Sequence, residues 1–149
     1  LLLMIDEQHG FMAGRSTSTN LLEFTQYLID NVELGYDVHC VYTDIKKAFD
    51  RVNISKLIIK LKCLGISDPL LSWIQSYLTG HKQRVKTSNI KSQLIDVSSG
   101  VPQVSYLGPL LFILFMIDVK FQDCRFLLFA DDLKIFYRIT STLQYQASK

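Results

Sequence analysis

Three aspartates are the residues of this chain whose types and spacing could do chemistry. Asp131 and Asp132 sit side by side within the apolar run Phe126-Leu127-Leu128-Phe129-Ala130-Asp131-Asp132-Leu133-Lys134-Ile135-Phe136-Tyr137. A carboxylate in apolar surroundings either takes up a proton or finds a cation, and two adjacent ones also repel each other. A divalent cation with oxygen ligands, ordinarily Mg²⁺, compensates both effects. Asp44 closes the strand-like segment Val41-Tyr42-Thr43-Asp44-Ile45, and an antiparallel sheet can bring it beside the Asp131-Asp132 hairpin. Carboxylates converging on strand ends would hold two Mg²⁺ about 4 Å apart, the arrangement for in-line phosphoryl or nucleotidyl transfer. Taken alone, Asp131-Asp132 also reads as a tight turn, although such turns prefer Gly at their second position, and Asp44 as a turn or cap residue.

The elements that must position these residues follow from periodicity. Leu21, Thr25, Leu28 and Val32 predict a helix over 19–34, with Asn20 and Glu23 resembling a capping box and Gly35 as the stop. Val38 to Ile45 reads as a buried strand. Ile54, Leu57, Ile58, Leu61 and Leu64 mark a second helix behind Asn53, and Asp68-Pro69 opens a third that runs to Leu78. Lys82–Thr87 and Gln93–Val97 form a predicted hairpin with its turn at Ser88–Lys91. A fourth helix is expected from Gly108-Pro109 to about Lys120, and Arg125–Tyr137 as two strands folded back at Asp131-Asp132. Strands without regular βα alternation argue for an α+β architecture, an antiparallel sheet with helices packed on one face. The absence of repeats and linkers predicts one compact unit.

Composition sets the bounds. A chain of 149 residues with 48% hydrophobic and 20% charged residues is globular, and its net charge of +2 permits a nucleic-acid partner without demanding one. Cys40, Cys63 and Cys124 are widely spaced, with no zinc pattern, and predict reduced thiols without a disulfide partner in an intracellular protein. The apolar stretch from Leu110 to Ile117 is far short of a membrane span, so no membrane partner is expected. Leu1-Leu2-Leu3 does not make a signal peptide, and an opening Leu points to a piece of something longer. Lys82, Arg84 and Lys86 alternate along a predicted strand and would share one face. They suit nucleic-acid phosphates, or else a sheet edge guarded by its lysines.

Four blocks of residues resemble a known family. Val41-Tyr42-Thr43-Asp44-Ile45-Lys46-Lys47-Ala48-Phe49-Asp50, then Gly100-Val101-Pro102-Gln103 with Leu107-Gly108-Pro109-Leu110-Leu111-Phe112, then Phe129-Ala130-Asp131-Asp132 resemble three palm motifs of reverse transcriptases, in the family's order. Upstream, Gln8-His9-Gly10-Phe11 and Gly14-Arg15-Ser16-Thr17 resemble the block that precedes them in non-LTR (LINE-type) retrotransposons. The resemblance implies a polymerase palm (37–149) with part of the fingers (1–36), in a single partial domain that lacks the thumb and the N-terminal fingers. It implies Asp44 and Asp131 as principal metal ligands and Asp132 as completing the set, with two Mg²⁺ (Mn²⁺ as a substitute). Phe49 would pack under the sugar of the incoming nucleotide, or else serve as core. Gln103 would lie along nucleotide and template. Asp50 is assigned structural hydrogen bonding, and Arg15 a place in a solvated loop. The implied partners are an RNA template, a DNA primer and dNTPs, with a nuclear site of action for an active parent element.

One departure matters. The family's Pro-Gln-Gly-Ser is Pro102-Gln103-Val104-Ser105 here, and β-branched Val disfavours conformations that Gly permits. Val104, with the missing flanks, favours a decayed non-catalytic remnant that at most binds nucleic acid; the surviving aspartates favour retained chemistry. Another palm-type nucleotidyl transferase or cyclase would share the metal logic but would not account for the Gln8–Thr17 block.

Overall fold

The computed structural model describes residues 5–103 and 105–140. In chain order the elements are α1 (Thr17–Glu33), β1 (Val38–Asp44), a 3₁₀ turn (Phe49–Arg51), α2 (Ile54–Cys63), α3 (Leu70–Leu78), β2 (Lys82–Gln83), β3 (Lys86–Thr87), β4 (Ile90–Lys91), β5 (Ile95–Asp96), α4 (Leu107–Met116), β6 (Arg125–Phe129) and β7 (Asp132–Arg138). The class is α+β, as expected. The described residues fall into two compact units: 5–46 together with 118–140, and the stretch Lys47–Ile117.

The first unit is a three-stranded antiparallel sheet in the order β1-β7-β6 with α1 on one face. Alternation puts Phe136 and Leu127 on the face toward α1, where they meet Phe24 in a small core flanked by Tyr27, Leu28, Val38 and Cys40. Phe136 is wholly buried and lies edge-on to Phe24 (centroids 5.1 Å apart) and to Tyr27 (4.8 Å). The helix starts two residues earlier than the periodicity predicted. Ser16 is the N-cap, with Thr19 N–H donating to its Oγ (3.2 Å) and Ser16 N–H donating to Thr19 Oγ1 (2.8 Å). A threonine completes this box in place of the expected Asn20 and Glu23. Strand β1 is an edge strand, so Val41 and Tyr42 stay 51% and 66% exposed where a buried strand was expected.

The second unit packs α2 against both α3 and α4. Asn53 caps α2 by accepting from Lys56 N–H (2.9 Å), and Leu57 and Leu61 on its inner face are fully buried. In the first turn of α4, Gly108 N–H donates to Ser105 Oγ (2.9 Å), and a Cβ at Gly108 would fall 1.9 Å from the Pro102 carbonyl. The expected long hairpin is instead two short ladders, β2 with β5 and β3 with β4. Between them Val85 N–H turns to the Ser92 hydroxyl (2.9 Å), which interrupts the strand. The tight turn is Ser88–Asn89, and Ile90 and Lys91 belong to a strand. No helix of the described residues is long and apolar enough to cross a membrane. Cys40, Cys63 and Cys124 are free thiols.

Candidate active site

All three aspartates lie in the first unit. The β1–β7 register sets Asp44 directly opposite Asp132, at the end of the ladder, so the two side chains leave the same face of the sheet. Asp131 occupies the turn between β6 and β7. Because Phe129 pairs with Asp132, the two turn residues are Ala130 and Asp131, one position earlier than expected, and Asp132 is already in strand. Ala130 takes φ +57° and Asp131 does not have positive φ. That is the pattern of a two-residue turn that usually employs Gly at its first position.

Asp44 and Asp132 help line a cleft of about 510 Å³, whose other walls include Asn20 and Leu21 of α1, Tyr42 and Lys134. Asp131 is not among the lining residues. Like charges directly opposite on a sheet destabilise it unless a cation intervenes. Among the described residues no three His, Cys, Asp or Glu side chains are grouped so that they could hold a metal alone. Mg²⁺, however, is commonly bound through one or two carboxylates together with substrate phosphate oxygens. The Asp44–Asp132 pair fits that requirement by donor chemistry, with Asp131 adjoining it in sequence on the turn.

Several residues around the site escaped the sequence reading. Lys134, two positions after Asp132 on the same face, places its Nζ over the Phe24 ring (4.3 Å) and the Tyr42 ring (5.3 Å) and donates to Asn20 Oδ1 (3.3 Å). Desolvation pushes its pKa down, and the neighbouring Cys40 opposes this. Burial likewise raises the Cys40 thiol. Asn20, read as a helix cap, is buried and donates to the Leu128 carbonyl (3.2 Å). Gln8 is 1% exposed and reaches the Ala130–Asp131 turn. The Glu7-Gln8-His9 segment runs parallel to β6, with Leu128 donating to Glu7 O (2.8 Å) and His9 donating to Leu128 O (2.9 Å). Arg15, expected in a solvated loop, is partly buried and fixes this segment by donating to Gln8 O (2.8 Å) and to Asp6. The only sequence signal for these roles was the upstream motif itself.

The remaining candidates belong to the second unit. Phe49 is 7% exposed and its ring stacks on Phe112 with centroids 4.3 Å apart; it packs in that unit's core. The Phe49–Val52 segment is stitched to the Gly100 loop: Val101 donates to Phe49 O (2.9 Å), Gly100 to Val52 O (2.8 Å), and the Ser99 hydroxyl to Asp50 O (2.9 Å). Gly100 holds φ +98°, and a Cβ there would stand 2.9 Å from Asp50 Cα, so the close approach requires glycine. Gln103 is exposed, and Val104 lies outside the described residues. Lys82, Arg84 and Lys86 are all exposed, but the break at Arg84–Val85 removes the continuous strand that would have set them on one face. Lys82 pairs with Asp96 (3.4 Å), and Lys86 stands directly opposite Lys91.

Facing aspartates at the end of an antiparallel sheet, next to an Asp-bearing turn, make up the candidate site, and the sequence pattern of the family described as reverse transcriptase (RNA-dependent DNA polymerase) matches residues 2–148. The chain belongs to that family. It is similar to the probable RNA-directed DNA polymerase of transposon X-element from Drosophila melanogaster, with 32% identity over 139 residues, 89% of this chain and 15% of the relative. It is also 32% identical over 144 residues to the probable RNA-directed DNA polymerase of transposon BS from the same organism, covering 91% of this chain and 16% of that one. The chain thus spans about a sixth of the curated relatives it matches. Among solved structures, telomerase from Candida albicans, in complex with a fragment of telomeric RNA, superposes with a TM-score of 0.68 at 16% identity, over 95% of this chain and 28% of that one. That likeness concerns the fold.

Proposed function

We propose that this segment supplies the catalytic carboxylates of an RNA-directed DNA polymerase, which adds dNTPs to a primer 3′-hydroxyl on an RNA template during retrotransposition. The observation that carries the reading is the register of Asp44 opposite Asp132 within a chain of the reverse transcriptase family. Two bound Mg²⁺ would supply activation of the attacking hydroxyl and stabilisation of the leaving pyrophosphate. The chain's own part is to hold Asp44, Asp131 and Asp132 at the sheet end and to anchor α1 on the same face through Phe24 and Asn20. Phe49 and Gln103 enter as the nucleotide contacts that the family motifs imply; the stacking on Phe112 would keep the Phe49 ring fixed as a wall for the sugar. Lys82, Arg84 and Lys86 are assigned to nucleic-acid phosphates, joined by Lys91 across the ladder from Lys86; of the four, Lys82 contributes least because it is paired with Asp96. The same reading places an intact parent element's work in the nucleus.

The test uses a full-length element protein carrying this segment, with poly(rA)/oligo(dT), dTTP and Mg²⁺. Incorporation by the parent and its loss in Asp131→Asn and in Asp132→Asn are expected. Equal incorporation by parent and variants would overturn the assignment.

A further inference from the structure

The Gln8 side chain makes three hydrogen bonds next to the carboxylates, two accepted and one donated. Its Oε1 accepts from Ala130 N–H (2.9 Å) and from Gly10 N–H (2.8 Å), and its Nε2 donates to the Ala130 carbonyl (3.3 Å). Both polar backbone groups of the residue preceding Asp131 are therefore held by one buried amide. Ala130 needs holding: φ +57° is a region that residues with a Cβ occupy at a disadvantage. Gly10 permits the close approach, since a Cβ there would lie 2.2 Å from Ala130 N. Arg15 and the Leu128 bridge fix the Gln8 backbone from the other side. Each link runs toward the turn.

We infer that Gln8 is a positioning residue: it holds Ala130 in the left-handed conformation and so sets where Asp131 and Asp132 present their carboxylates. The inference rests on the metal-binding role given to these aspartates above. A glutamine fits the task because it offers a donor and an acceptor at once and adds no charge beside the acidic pair.

The test follows binding of Mn²⁺ together with dTTP, whose phosphates complete the ligand set, to the 149-residue chain by the change in the Mn²⁺ EPR signal, below the melting temperature of every variant. Wild type is expected to bind and Asp132→Asn to lose binding. Gln8→Met, which keeps the volume and removes the amide, should bind about tenfold more weakly, the lower end for a residue that orients metal ligands, with an unchanged far-UV CD spectrum. Adding Ala130→Gly to Gln8→Met should restore most of the affinity, because glycine adopts this turn without a clamp. A residue that merely anchored the 6–10 segment to the fold would not be rescued in this way. Wild-type affinity in Gln8→Met, or no rescue by Ala130→Gly, overturns the inference and leaves the metal assignment standing. Equal binding by wild type and Asp132→Asn removes the metal assignment, and the inference with it. If Gln8→Met does not fold, Gln8→Asn takes its place under the same outcomes, since it adds no charge and keeps the amide but is one methylene too short to hold both Ala130 groups.

Discussion

Replacing Lys86 and Lys91 together by Gln should weaken nucleic-acid binding while leaving the fold as stable as before or more so. The two lysines are direct cross-strand partners, both exposed, and like charges in that position repel. Removing them should raise stability by up to a few tenths of a kcal/mol in urea unfolding. Binding should move the other way. Of the ribbon's four cations, Lys82 is engaged with Asp96, and among the described residues Arg84, Lys86 and Lys91 make no ion pair. Three phosphate contacts on a duplex correspond to a salt slope of about −2.7, or roughly a 40-fold loss of affinity between about 50 and 200 mM salt. One remaining contact gives a slope of about −0.9 and a loss of only about 3.5-fold over the same range. Fluorescence anisotropy with an end-labelled RNA–DNA hybrid measures both slopes, and the ribbon's share is their difference of about 1.8. An unchanged slope in the double variant, with unchanged affinity at low salt, would refute the assignment of the ribbon to phosphates. Loss of binding together with loss of stability would point to unfolding instead.

Two further outcomes concern the carboxylate-bearing unit. Phe136→Ala should destabilise the chain by about 3–5 kcal/mol in urea, because Phe136 is fully buried against Phe24, Tyr27 and Leu127; a loss below about 1 kcal/mol would place the core elsewhere. The raised Cys40 thiol contributes stability that is complete at pH below the ordinary thiol range and lost as pH rises through its own higher pKa, since the unfolded chain releases that proton first. Cys40→Ala should therefore flatten the alkaline limb of the pH–stability curve, and an identical limb in both proteins would contradict this.

Helices α2 and α3 were legible because their apolar spacing, the Asn53 cap and the glycine stops all agree, and such consistency across signals specifies an element without tertiary help. The pairing of Asp44 with the Asp-Asp strand was also legible, since an antiparallel sheet can bring two strand-like segments that each carry an aspartate at one end side by side. The turn register was not. Alanine at positive φ carries no sequence signature, and what holds it there is a glutamine about 120 residues away, whose side chain reads locally as a loop polar group. The basic ribbon failed for a different reason: a serine hydroxyl at Ser92 competes with the ladder for Val85 N–H, and local side-chain competition of this kind is invisible to a period-two pattern. Phe49 was legible as a sugar contact or as core, and its ring stacks on Phe112, a partner that the motif alone does not name.

The strand that bears Asp44 has a consequence for how the chain is made. Thr43 and its ladder neighbour Leu133 are 90 residues apart in sequence, and everything from Lys47 to Ile117 is a continuous unit of its own. On the ribosome, the second unit can therefore finish folding while β1 still waits for the strand it must pair with. Until β7 emerges, β1 exposes an unpaired edge carrying Val38, Cys40, Val41 and Tyr42, a template open to wrong partners. Closing so distant a pairing is slow, so expression yield should respond more sharply to changes in β1 and β7 than to equally destabilising changes in the helices of the second unit.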